Sequence, residues 1–163
     1  MAFGYAPLFT PRSINTGIRN RMITLDADMK HRLVNGLNDG VAVVVGYVDK
    51  NGDPHVSPYG SIHAHSDNQL ALWLRNPEGE LIAGIARNAK VGVFYAHLPT
   101  RTFFRMQGRA RVASSAADRE KIFTSMHPFE QSGDTERKGI AVIIDLDKVA
   151  GRKADGTMFS MAP

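Results

Sequence analysis

The 163 residues suit one domain, and 43% apolar with 22% charged content is that of an ordinary soluble globular chain able to build a core. The absence of cysteine excludes disulfides, thiolate zinc sites, iron–sulfur clusters and a cysteine nucleophile, and no apolar run approaches the roughly 18 residues of a membrane helix. Twenty Lys and Arg against sixteen Asp and Glu leave a net charge of +4, a surplus that a solvated surface explains without nucleic acid.

Residues 1–22 read as an arm, with Pro7, Pro11, Gly17, Arg12, Arg19 and Arg21 and no acid. Met1 to Tyr5 lack the basic-then-apolar pattern of a secretory leader, so a reducing cytoplasm is the expected compartment. The domain itself is expected over 23–163. Leu25, Met29, Leu33 and Leu37 recur at spacings of four and predict a helix from Thr24 to Leu37, with Asp26 and Asp28 in its first turn and Gly40 as its stop. Gly40 to Val48 reads as a buried, valine-rich strand. Asn51-Gly52 signals a hairpin, and Pro54 to Ala64 alternates as one strand that needs an edge or a bulge at Pro58.

A turn at Ser66-Asp67-Asn68 leads to a strand from Gln69 to Arg75. Asn76 then caps a short helix, with Pro77 at its first position and Leu81, Ile82 and Ile85 on its buried side. Lys90 to His97 and Arg101 to Val112 read as strands joined by Leu98-Pro99-Thr100. Ser115 caps a helix reaching Met126, His127 to Lys138 reads as a polar loop, and a last strand runs from Gly139 to Leu146 before a Gly- and Met-containing tail. Six strands joined mainly by hairpins, with short helices between, predict an α+β, mainly β fold: a six-stranded antiparallel barrel with flanking helices.

No dinucleotide-binding glycine pattern, P-loop, zinc-helix motif or hydrolase elbow is present, and no catalytic side chain is assigned. Two features stand out. His55, Ser57, Tyr59, Ser61 and His63 share one strand face, a hydrogen-bonding surface suited to a planar cofactor as well as to solvent. Arg101, Arg105, Arg109 and Arg111 form a basic ladder suited to phosphate or to acids of another subunit. His63 and His65 form an H-x-H pair, with His97 or His127 as distant third candidates, and no metal is expected from that spacing.

The ordered segments GVAVVVGYVDKNGDPHVSPYGSI, NQLALWLRN, IARNAKVGVFY and TFFRMQGRARV, over residues 33 to 113, together resemble the FMN-binding split barrels related to pyridoxamine 5′-phosphate oxidase. The resemblance implies a split barrel and a homodimer with a flavin site at the subunit interface. It implies an FMN-dependent oxidoreductase acting on a small molecule, with a deazaflavin-dependent reductase or a flavin- or haem-binding protein as alternatives; His55, His63 and His97 are the histidines that keep haem open. Carried over by position, the cofactor-binding candidates are Ser57, Pro58, Tyr59, Gly60 and Ser61, then Arg75 and Asn76, and from the second subunit Thr102 and Phe103, to which Arg105 is added as a cation for the phosphate. The chain departs from the family at the phosphate. Ser57 stands where members carry Arg, and Glu78 and Glu80 flank the segment where members carry Lys with Ser or Thr. Arg75, Arg87 and Arg105 are the cations left for that task. Neither nucleic acid nor a membrane is expected as partner.

Overall fold

The computed structural model describes residues 22–163. The chain runs α1 (Ala27–Val34), β1 (Val44–Val48), β2 (Pro54–Pro58), β3 (His63–Ala64), β4 (Gln69–Leu74), α2 (Glu80–Arg87), β5 (Lys90–His97), β6 (Thr102–Val112), α3 (Ala116–Ser125), α4 (Pro128–Ser132), β7 (Ile140–Arg152) and β8 (Met158–Met161). All strand pairings are antiparallel, in the order β2-β1-β5-β6-β7-β4-β3, with β8 added to β7. The predicted mainly β class holds, with eight strands among the described residues where six were expected. The predicted arm lies outside the described residues, save Met22. No helix among them is long and apolar enough to cross a membrane.

Alternation built the interior. Thr102, Phe104, Met106, Gly108 and Ala110 of β6 are buried, while Arg105, Gln107, Arg109 and Arg111 on its other face are exposed. Tyr95 and Phe104 stack at the centre, 5.2 Å between ring centroids. β7 is thirteen residues long and pairs with β6 along its length, with β4 through Ile140–Asp145 and with β8 through Val149–Arg152. A register shift at Gln107/Gly108 leaves Asp147 unpaired, and this bulge lets β7 bend from one partner to the other. The predicted end of this strand at Leu146 was therefore too early, because Asp147 and Lys148 mark a bulge and not a turn.

Three further expectations change. The first helix begins at Ala27, capped by Asp26, whose carboxylate accepts from Met29 N–H (2.9 Å). Ile23 and Leu25 are buried in extended chain instead, with Leu25 N–H donating to the Asp67 carbonyl (2.7 Å), and Leu37 falls in the turn beyond the helix. The short helix α2 is capped by Gly79 and not by Asn76, whose side chain accepts from Glu78 N–H one turn earlier (3.1 Å). The polar loop contains α4, capped by His127 with Pro128 at its first position.

Candidate functional site

The predicted strand Pro54–Ala64 is two strands lying at opposite ends of the sheet, and the residues between them carry the site. β2 sits on the free edge beside β1, which accommodates Pro54 and Pro58. β3 sits on the far edge beside β4. Tyr59 to Ile62 crosses from one edge to the other. Tyr59 N–H donates to the Val43 carbonyl (2.8 Å), and Ser61 Oγ donates to the Trp73 carbonyl (2.9 Å) while accepting from Trp73 N–H (3.1 Å). The two sheet edges are thus bridged by backbone held at both ends.

This link borders a cavity of about 590 Å³ with apolar walls from Leu33, Val43, Tyr47 and Leu81. Pro58, Tyr59, Gly60, Ser61, Arg75 and Asn76 all line it, so six of the sequence-derived candidates converge. Ser57 is half-buried on β2 opposite Val45 and is not among the lining residues. Burial pushes the Tyr59 hydroxyl's pKa up, with Tyr47 adding to the effect, so it stays a neutral donor.

Thr102 and Phe103 lie elsewhere. They line a second hollow of about 370 Å³ with His97, Leu98, Arg101 and Arg152. Arg105 lines neither space and sits with its guanidinium carbon 6.0 Å from the Phe103 ring centroid on the exposed face of β6. The basic ladder is also broken up. Arg109 meets Asp147 (3.4 Å), Arg111 meets Asp145 (3.0 Å), and Arg101 stands in the turn before β6 at φ 51°.

The histidines are spread apart. His63 is buried, with Nδ1 2.9 Å from the Ser61 carbonyl, and burial holds its pKa below the usual imidazole range. His65 Nε2 meets Asp118 (3.3 Å), and His127 Nε2 meets Asn38 (3.0 Å). Among the described residues no three His, Asp or Glu side chains gather as a metal site.

The charges at the cavity come from three side chains, Arg75, Glu80 and Glu130. Glu130 belongs to α4 and was not legible as a site residue; the only local signal was His127-Pro128, a helix start. Its Oε2 lies 3.9 Å from Arg75 Nη2, and its side chain is 12% exposed. Gly60 makes room for it, since a Cβ there would stand 2.3 Å from Glu130 Oε1. Glu80 begins α2 and approaches His55 Nδ1 (3.4 Å), whereas Glu78 does not line the cavity.

FMN fits this cavity through its ring and not through its phosphate. Apolar walls and a fixed backbone link suit the isoalloxazine, but two carboxylates against one guanidinium repel a dianion. Arg87 is turned to the Lys50 carbonyl, and Arg105 is on the outer face.

The same fold occurs in HupZ of Group A Streptococcus (20% identity over 82% of this chain and 97% of that one, TM-score 0.60). It occurs in general stress protein 26 of Bacillus anthracis (15%, 82% and 98%, TM-score 0.57). A Clostridium acetobutylicum protein related to general stress protein 26 shares it too (10%, 82% and 95%, TM-score 0.57). No curated protein matches the chain. The pyridoxamine 5′-phosphate oxidase family model matches residues 29–145, from within α1 through the β4-paired half of β7, and the chain belongs to that family.

Proposed function

We propose that the protein is a flavin-dependent oxidoreductase acting on a small molecule, with the isoalloxazine ring seated against the Tyr59–Ser61 link. The observation that carries this reading is the link itself: backbone stretched between two sheet edges, anchored by Ser61 to Trp73, and facing an apolar cavity of about 590 Å³. FMN, the family's form of the cofactor, supplies the redox chemistry when bound, so the absence of a catalytic motif does not oppose the reading. This chain's residues orient the ring and exclude water around it.

The site is completed in a homodimer. Thr102 and Phe103 face away from the cavity of their own chain, beside Phe94 (44% exposed) and Leu98 (81% exposed). A two-fold pairing lays this apolar hollow of one copy against the Tyr59–Ser61 cavity of the other, covering both. The deciding experiment is a visible spectrum of purified protein followed by riboflavin, FMN and deazaflavin titrations with mass by light scattering. Saturable binding of one flavin per subunit to a dimer is expected. A monomer that binds no flavin refutes the proposal, and tighter deazaflavin binding moves the reaction to that cofactor.

One observation favours haem as a second reading. His97 lines the outer hollow with Arg101 and Arg152, its Nδ1 meeting Thr100 Oγ1 (2.7 Å), whereas His55 is engaged by Asp49 and Glu80 through both ring nitrogens and His63 is buried. Haem bound there gives a Soret band that His97→Ala removes; an unchanged band excludes His97 as its ligand.

A further inference from the structure

Glu130 stands in the wall of the inner cavity. Its side chain is nearly nine-tenths buried, no hydrogen bond reaches its carboxylate from the described residues, and its one cationic neighbour is Arg75 at 3.9 Å, itself 58% exposed. The carboxylate thus lines the cavity with only a loose ion pair to engage it. Yet the surroundings hold it in place. α4 is fastened by His127, which accepts from Phe129 N–H through Nδ1 and meets Asn38 in the turn beyond α1 through Nε2. The carboxylate rests directly on Gly60, and Arg75 also lies beside Gly133 at the end of α4. Glu80 adds a second negative charge across the cavity, at the N-terminus of α2 where an anionic ligand would otherwise gain from the helix dipole.

Resting on the flavin reading above, we propose that Glu130 is a specificity-determining residue that makes this cavity select a flavin without a phosphate monoester. The terminal ribityl hydroxyl of riboflavin donates a hydrogen bond to the Glu130 carboxylate. A phosphate dianion offers no donor and adds repulsion from both Glu130 and Glu80. The discrimination is therefore between a neutral, hydroxyl-bearing chain and a doubly charged one on the same ring, as two sides of one acceptor-only group.

The test is a pair of fluorescence titrations, riboflavin and FMN, on the full chain near pH 8 and at low ionic strength, where phosphate is dianionic and screening is weak. The wild type should bind riboflavin about tenfold or more tightly than FMN, and Glu130→Gln should shrink that ratio about tenfold by strengthening FMN. Glu130→Ala should shrink it too, which separates charge from packing. Because the readout is a ratio of two ligands on one sample, partial unfolding of a variant does not alter it. Tighter FMN than riboflavin binding by the wild type, or a ratio unmoved by Glu130→Gln, overturns the inference and leaves the flavin reading intact. Binding of neither flavin overturns both.

Discussion

The two hollows of the molecule differ in sign and in construction. The inner cavity is bounded by a backbone link and carries Glu80 and Glu130 against Arg75; the outer hollow is bounded by side chains and carries Arg101 and Arg152, with no carboxylate among its described lining residues. The inner one is built by barrel closure, since its link exists only when β2 and β3 lie at opposite sheet edges. The outer one needs only the β5–β6 turn and the β7 strand beside it.

The strongest way to break this contrast is through Trp73. It presents its backbone to Ser61 on the cavity side and its ring to Phe123 on the other (5.1 Å, edge-on), with Nε1 donating to Asp134 (2.8 Å) and the Arg119 guanidinium 4.5 Å from the ring. Trp73→Ala should lower unfolding free energy by about 3–5 kcal/mol in urea titrations and abolish ligand binding in the inner cavity first. Phe103→Asp attacks the other hollow. It should weaken dimerisation by about 2 kcal/mol or more, seen as a fall to monomer mass in light scattering with the fold retained by circular dichroism; a dimer of unchanged strength would remove the outer hollow from the interface.

Acid should sharpen the contrast further. His63 stands in the barrel wall beside the link, and burial, together with nearby His65 and Lys121, lowers its pKa in the folded protein. Unfolding then takes up a proton below about pH 6.5, so stability is complete above that value and declines as pH falls, by at most about 1.4 kcal/mol per pH unit. His63→Gln should flatten this part of the stability–pH curve, and an unchanged slope would assign it to another group. The smallest effect belongs to the outer strand pair Arg109–Asp147, both more than half exposed. Arg109→Ala should cost less than about 1 kcal/mol and fade with added salt.

The parts written in local pattern were legible. Alternation in Thr102–Ala110 and the Ser115 cap, whose Oγ accepts from Asp118 N–H (2.9 Å), depend on near neighbours and came through intact. Six of the residues carried over from the family line one cavity, because the link and the end of β4 lie side by side in the sheet. The division of Pro54–Ala64 was not legible: the segment alternates along its length in the sequence, and the bonds to Val43 and Trp73 divide it. Leu25 imitated a helical stripe because it is buried from extended chain. Glu130 could not be found from sequence, since its importance comes from the glycine it covers, seventy positions earlier in the chain.

The long strand β7 also governs when this protein can fold. β4 has no partner but β3 until residues 140–145 arrive. A nascent chain therefore carries an open β4 edge until β7 is made, with Leu70, Leu72 and Leu74 lacking that strand partner. Closure pairs segments some seventy residues apart, so folding belongs to the slow, topology-limited regime and the half-made chain is the species most exposed to aggregation.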